Sequence, residues 1–522
     1  MACFNKAADA QGVPDEGALR WYSALLLPAV YASSAHVQEW RAAFMRNLAR
    51  IEGEAASGQL VLADPARVEG VPQYYLSYHG EPSDVSTYRR LAHLFRRVSA
   101  AANVTYASKY LRGYVPPSAS AGERVRVGFV SLFFRQHSVS KILAGLLRHL
   151  NAPAKRATFE VVLFNLGVEA EEDDMSRLLF SWSRRVVSLG GKSLGEMQRI
   201  IALQELDVLV YTGIGMDPAS YALAHARLAP WQLLMHGHAA SSGIPTIDYF
   251  VSYASSYASF AERTASVQKY FSERVIILPG VTPLSLYYSI APPPPASDAR
   301  ARAGGAGLRQ RLGIPAHAII YGCMQTLYKI SPAMDSAFRD ILAAHPEAVL
   351  LLKELPYTPR LGKQVLHRLA RTMAPDLMAR VMLLPPLSNS DYLGVQALID
   401  VTLDSFPCGG HTTTMDSLAA HSPVVTLPHT LASGRGSLAF LTALQLSHLI
   451  AVDVHHYVSI ALQLGRSRLL CGCGCVGVCM CVFVYVWVYV CVFVCVCVCI
   501  DCHIYSLHRP LSVQLQALLS TW

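Results

Sequence analysis

Short apolar runs alternate with longer amphipathic ones from Arg126 onward, and the alternation occurs in two separate series. The first series predicts strands at Arg126-Val-Gly-Phe-Val-Ser131, Phe159 to Phe164, near Val186, Asp207 to Tyr211, Trp231 to Met235, Asp248 to Val251 and Arg274 to Leu278. Helical stretches run from Ser138 towards Leu150, near Asp174, and from Ser193 to Leu203. The second series predicts strands at Ile319 to Cys323, Ala348 to Leu352, Arg380 to Leu384, Leu398 to Leu403 and Val424 to Leu427. Its helices fall at Pro332 to Ala344, Leu361 to Met373, from Thr412 and from about Ser433. Strands separated by helices of ten or more residues must lie mostly parallel, with both sheet faces covered. The fold class is therefore α/β, and 522 residues suffice for two such cores.

A low-complexity break, Ala291-Pro-Pro-Pro-Pro-Ala296 through Gly307, divides the series as a hinge or surface insertion. The expected organisation is a helical segment over 1–120, a first α/β domain over 121–290, a linker over 291–308 and a second α/β domain over 309–470. A repeat follows over 471–505, and 506–522 is a tail without assignment. Within 1–120, Trp21, Leu25 and Leu26 mark one helix that ends near Pro28. Val37, Trp40, Phe44 and Leu48 mark a second, and the stretch from Val85 to Ala100 a third. No 34-residue repeat is present, so an intact tetratricopeptide array is not expected.

The net charge of +8 comes with only 15% charged residues. Arginines are scattered, as at Arg89, Arg90, Arg184 and Arg185, without the basic tract and interleaved aromatics of a nucleic-acid groove. An anionic small molecule is the better match for this charge. Of 13 cysteines, Cys3, Cys323 and Cys408 alone precede residue 471. That usage, with a first stretch that lacks the apolar core of a secretory signal, points to a reducing compartment, cytoplasmic or nuclear. The other cysteines crowd the Val/Cys alternation from Cys471 to Cys502. A GT dinucleotide repeat read in frame encodes that pattern. The run from Cys471 to Ile500 is also long enough for a membrane span, and CxC spacing leaves a metal thiolate cluster open. Membrane association is not expected unless that segment is genuine.

Asp404-Ser-Phe-Pro-Cys-Gly-Gly-His-Thr-Thr-Thr-Met-Asp416 joins a strand to a helix. Gly409 and Gly410 allow close backbone approach, and Thr412 and Thr413 add hydroxyls beside unpaired N–H groups at the helix start. Such a turn can hold a phosphate or diphosphate; it can equally be a capped helix after a glycine turn. Asp416, one turn in, is a candidate acceptor for ribose hydroxyls. Lys329 follows the first strand of the second domain and offers a mobile point cation for a diphosphate. Tyr392 could stack on a base or simply pack on a neighbouring helix. His137, Gly213, Gly215, His236 and His238 fall just past strand ends, where ligands of parallel sheets bind.

Residues 124 to about 468 resemble the catalytic region of the O-linked N-acetylglucosamine transferase and SPINDLY-type family. The resemblance rests on Arg126 to Ser131, Phe134-Arg-Gln-His-Ser-Val-Ser140, Gly243-Ile-Pro-Thr-Ile-Asp-Tyr249, Leu327-Tyr-Lys-Ile330, the Asp404 to Asp416 block, Pro423 to Pro428 and Leu431-Ala-Ser433. Tyr75-Leu-Ser-Tyr-His-Gly80 resembles the segment that joins the family's repeats to its catalytic region. The resemblance implies two Rossmann-like domains in the GT-B architecture. It implies that Lys329 contacts the diphosphate, that Gly410, His411, Thr412 and Thr413 line the sugar and phosphates, that Asp416 binds ribose, and that Tyr392 stacks on the base. His137 would stand near diphosphate and acceptor, with service as general base one role open to it.

Three positions depart from the family pattern. Thr326 stands where a glutamine is expected, with Gln325 beside it as a substitute; Asn389 replaces a basic residue; and Thr212-Gly213-Ile214 replaces an Asn-Gly-Tyr loop. The resemblance ends near Arg468, which predicts a second domain short of its last helical layer. The implied reaction moves N-acetylglucosamine or fucose from a UDP or GDP donor to Ser/Thr hydroxyls of protein acceptors, without nucleic acid. No metal or other cofactor is implied, because lysine and backbone dipoles can balance the phosphate charge. A catalytically degenerate nucleotide-sugar scaffold and, further off, an epimerase are the alternatives.

Overall fold

The computed structural model describes residues 16–68, 73–81, 84–106, 123–168, 172–235, 237–253, 267–278, 307–354 and 359–470. The first series of apolar runs becomes a seven-stranded sheet, all of whose pairings are parallel. Its strands are β1 (Val125–Ser131), β2 (Phe159–Asn165), β3 (Arg185–Ser188), β4 (Val208–Tyr211), β5 (Trp231–Leu234), β6 (Tyr249–Tyr253) and β7 (Arg274–Leu278), in the order β3-β2-β1-β4-β5-β6-β7. The second series gives β8 (Ile319–Cys323), β9 (Ala348–Lys353), β10 (Val381–Leu384), β11 (Val401–Leu403) and β12 (Val424–Val425), ordered β10-β9-β8-β11-β12 and again parallel. Each sheet thus reverses its winding once, between β1 and β4 and between β8 and β11. Loops at such a reversal diverge and leave a crevice beyond the strand ends, where open α/β sheets bind ligands.

The longer helices accompany the sheets, and several of them begin at a side-chain cap. They are α1 (Glu16–Leu25), α2 (Ser34–Ala56), α3 (Val85–Val98), α4 (Ser138–Leu150), α5 (Asp174–Ser181), α6 (Leu194–Ala202), α7 (Pro218–Ala224), α8 (Asp335–Ala344), α9 (Pro359–Leu369), α10 (Asn389–Leu398), α11 (Thr412–Ala419), α12 (Gly436–Ala443) and α13 (Val454–Leu470). Asp173 with Ser176, and Ser193 with Glu196, close capping boxes on α5 and α6. Leu398 closes α10 rather than opening a strand, because Ser388 starts a helix whose last turn reaches it. β11 is correspondingly short, and β12 ends at Val425, two residues before the expected limit.

The helical segment shares one core with the first sheet. Trp21, Phe44, Leu48, Leu91 and Phe95 pack in the same buried cluster as Leu209, Tyr211, Tyr221 and Phe250. At the other end α13 packs on α8. It is fastened by Tyr321, whose hydroxyl donates to the Ala461 carbonyl at 3.2 Å, and by Tyr457, whose hydroxyl donates to the Asp404 carbonyl at 2.8 Å. That helix supplies a covering layer to the second sheet, and whatever follows Leu470 lies outside the described residues. No helix among the described residues is long and apolar enough to cross a membrane. His236, most of the linker and the Val/Cys run lie outside the described residues.

Candidate functional site

The crevice of the second domain is built around one aspartate. Asp404, the first residue after β11, is 1% exposed. Its Oδ1 accepts the Gly410 N–H at 2.6 Å and the Gln325 amide at 3.3 Å, and its Oδ2 accepts the Thr426 hydroxyl at 2.8 Å. Burial raises its pKa, opposed by these hydrogen bonds and by Lys329. The loop from Asp404 to His411 is therefore pulled back against the sheet. Gly410 sits in the tightest part of it. A Cβ there would strike the Gln325 amide and the Thr413 and Thr414 hydroxyls, so a larger residue must push these side chains aside.

Lys329 ends the 3₁₀ turn Leu327–Lys329 that follows β8, and its Nζ donates to the Gly409 carbonyl at 3.1 Å. The ammonium thus rests on the glycine turn, at the entrance to α11. His411 occupies the N-cap of α11 without a side-chain cap, and its ring lies edge-on to Phe440 at 4.9 Å. Burial, with Lys329 second, lowers the His411 pKa to about 4, which keeps the ring neutral at physiological pH. Gln325 and Thr413 are joined to each other, amide to hydroxyl at 2.8 Å, so Gln325 braces the loop. The Thr326 hydroxyl beside it is buried with no hydrogen-bond partner among the described residues.

Facing this crevice is the start of α4 in the first domain. His137 caps α4 through Nδ1, which accepts the Val139 N–H at 3.2 Å, and its ring stacks on Phe133 at 4.3 Å. Burial and then Arg135 lower its pKa to about 4, so the ring is neutral. A neutral imidazole that accepts at Nδ1 carries its proton on Nε2. The Nε2 edge of His137 is consequently a hydrogen-bond donor in this tautomer. Gly215, at φ +87, lets the loop after β4 lie close to the His238 ring, and Ile214 is buried at 3% exposure. His238 Nε2 is 3.5 Å from the Ser77 hydroxyl, so the Tyr75 to Gly80 motif reaches the crevice too. Tyr78 lies 5.5 Å from Tyr328, against the turn that carries Lys329.

The two crevices meet at α4 and α11. The Thr412 hydroxyl donates to Ser138 Oγ at 2.8 Å, and Lys141 Nζ donates to Asp416 at 2.8 Å (Oδ1) and 3.1 Å (Oδ2). The Tyr392 hydroxyl donates to Asp416 Oδ2 at 3.3 Å and accepts from the Gln396 amide at 2.8 Å. Lys353 Nζ stands 4.6 Å from the centre of the Tyr392 ring, a cation–π contact. Burial raises the Tyr392 pKa well above its ordinary value, so its hydroxyl stays protonated and donates. One face of this ring is therefore already occupied by an ammonium.

Residues 305–470 match the model of glycosyl transferase family 41. A rice protein named "Probable UDP-N-acetylglucosamine--peptide N-acetylglucosaminyltransferase SPINDLY" is 28% identical over 352 residues, 65% of this chain and 34% of that protein. An Arabidopsis protein of the same type, named SEC, is 23% identical over 353 residues, 66% of this chain and 34% of that one. Among solved structures, a point mutant of the Thermobaculum terrenum O-GlcNAc transferase superposes with a TM-score of 0.57 at 21% identity, over 89% of this chain and 81% of that one. The chain is similar to members of the O-GlcNAc transferase and SPINDLY family. Its fold is two Rossmann-like domains of the GT-B kind preceded by helices. The chain spans about a third of the length of these curated plant relatives.

The structure brings together Lys329, Gly410, His411, Thr412, Thr413, Asp416 and Tyr392 at one crevice, with His137 on the facing domain. Sequence reasoning named these and missed Asp404, Lys141 and Lys353. Asp404 was legible in principle, as a lone carboxylate at the end of an apolar strand, a position where burial demands hydrogen-bond donors. Lys141 carried no such signal. It reads as an ordinary helix lysine until the other domain is placed against it.

Proposed function

We propose that this chain is the catalytic region of a protein O-glycosyltransferase, which moves a sugar from a nucleoside diphosphate to a Ser or Thr hydroxyl. The observation that carries this reading is the Lys329 ammonium resting 3.1 Å from the Gly409 carbonyl at the mouth of α11. A leaving diphosphate bound there would meet a cation and the N–H groups of a helix start, both aimed at charge that develops as the sugar bond breaks. The acceptor oxygen forms the new bond to the anomeric carbon while the diphosphate departs with the old bonding pair, and the hydroxyl proton passes to an oxygen of that leaving diphosphate. Asp416 and Tyr392 receive the nucleoside, and neutral His411 with Gly410 shapes the space for the sugar. His137 is assigned as a donor through Nε2–H to a sugar or phosphate oxygen.

The relatives' names, which specify UDP-N-acetylglucosamine and peptide, favour that donor, and GDP-fucose is the second candidate. Lysine and helix amides give the diphosphate its charge partners, so the reading needs no metal. Cys323 and Cys408 are buried free thiols whose pKa values burial pushes up to about 12 and about 11. Such unpaired thiols are at ease in the reducing cytoplasm or nucleus, where we place the protein. The test is a donor panel on purified protein with Ser/Thr peptides, read by mass spectrometry. A sugar-modified peptide that vanishes with Lys329→Met supports the reading. Free sugar alone, or no heat with any UDP or GDP compound in calorimetry, overturns it.

A further inference from the structure

We infer that Lys141 is a gate on the donor site, an ammonium from the first domain that seals Asp416 until a nucleoside displaces it. This rests on the reading of Asp416 as the ribose carboxylate and adds to it the control of access. Asp416 is 3% exposed and Lys141 6%, so neither meets solvent in this state. A carboxylate offers about four lone-pair directions. Lys141 takes one on each oxygen, and the Tyr392 hydroxyl takes a further one on Oδ2. A ribose diol cannot add two more hydrogen bonds to that carboxylate. It must replace the ammonium.

The pair also spans the domains. Lys141 lies on α4, Asp416 on α11, and the neighbouring Ser138–Thr412 hydrogen bond ties the same two helices. Among the described residues Lys141 makes no other hydrogen bond or ion pair, so it has no second carboxylate to retreat to. Its flexible four-carbon stem lets it swing into the crevice instead. Separating a buried pair without replacement is costly, so the empty site favours the sealed form. Apparent nucleotide affinity then falls by the fraction of molecules in which the seal is open.

The experiment is calorimetry of the whole chain with UDP, uridine and inorganic pyrophosphate, on wild type, Lys141→Met and Lys141→Arg. With an open fraction of about a tenth, Lys141→Met binds UDP and uridine about tenfold more tightly. Pyrophosphate, which does not reach Asp416, binds no more tightly than to wild type. Lys141→Arg retains the ion pair and gains nothing. Equal or weaker UDP binding by Lys141→Met overturns the gate, as does an equal gain for pyrophosphate. If Lys141→Met fails to fold, Ser138→Ala releases the adjoining contact and should tighten UDP by a smaller factor; no gain there overturns the gate as well. Wild type that binds neither UDP nor GDP overturns the nucleotide-site reading itself, a result distinct from any ranking of the variants.

Discussion

Asp404 and Gly410 are six residues apart in the chain and joined by a 2.6 Å hydrogen bond from the glycine N–H to the buried carboxylate. That bond folds the turn back on itself and turns the start of α11 towards Lys329. The carboxylate is also held by Thr426 from the next strand's end and by Gln325 from the turn after β8. Three loops at the strand ends therefore share one anchor, and the surface proposed to face the diphosphate depends on the buried Asp404 carboxylate.

Gly410→Ala tests that arrangement. The new methyl would overlap the Gln325 amide and crowd the Thr413 and Thr414 hydroxyls. Overpacking of this kind typically costs about 1–3 kcal/mol. The expected outcome in urea denaturation is a lowered midpoint with an unchanged slope. UDP affinity should fall alongside, because side chains at the start of α11 must shift to make room. A variant as stable as wild type would mean that the loop has slack the structure does not show.

Lys329→Met removes the cation and retains much of the side-chain volume. Hydrogen bonds to charged groups contribute roughly 1.5–3 kcal/mol, or about 10- to 100-fold in affinity. UDP should weaken within that range while uridine changes little, since the role proposed for Lys329 is at the diphosphate and not at the nucleoside. Parallel titrations of the two ligands check this. A matched loss for uridine would point to a collapsed loop in place of a lost phosphate contact.

Much of this architecture was legible because period and punctuation act locally. The strand at Ile319 to Cys323 appears at its expected limits, and Asp173 and Ser193 announce their helices through capping boxes. The turn chemistry of Gly409 and Gly410 could likewise be read directly. Relationships between domains could not. Lys141 meets Asp416 only because α4 is laid against α11, and Ser77 reaches His238 across 161 residues of sequence. The cap that His137 makes likewise became visible only with its surroundings, through the hydrogen bond from Val139.

Acid should charge the two half-buried histidines of the site. His137 and His411 both have folded pKa values lowered from 6.5 to about 4. Between those values the unfolded chain binds protons that the native chain refuses, so these residues stabilise the fold above pH 6.5 and lose that contribution as pH falls towards 4. Asp217, raised from 3.8 to about 6 by burial, acts in the opposite sense: its native proton adds stability as pH falls over the same range. The slope is therefore best read as a difference. His411→Gln should show a shallower loss of stability from pH 6.5 to 4 than wild type in parallel chemical denaturations. Identical slopes would place the His411 pKa near its ordinary value.

The strongest structural prediction concerns Arg368. Its guanidinium binds Asp335 through Nε at 2.9 Å and through Nη2 at 2.9 Å, donates to the Ile330 carbonyl at 2.9 Å, and reaches the Tyr31 carbonyl at 3.2 Å. One buried side chain thus ties the helical segment to the second domain and to the turn just after Lys329. Arg368→Met removes every one of those bonds and leaves the Asp335 carboxylate buried and unpaired, a loss of about 3–5 kcal/mol. Adding Asp335→Leu removes the stranded charge, so the double variant should recover a large part of the loss even though it lacks the ion pair. Urea midpoints of the three proteins measure both effects. If the double variant is no more stable than Arg368→Met, the cost lies in the severed carbonyl contacts to Tyr31 and Ile330, and the carboxylate is tolerated alone.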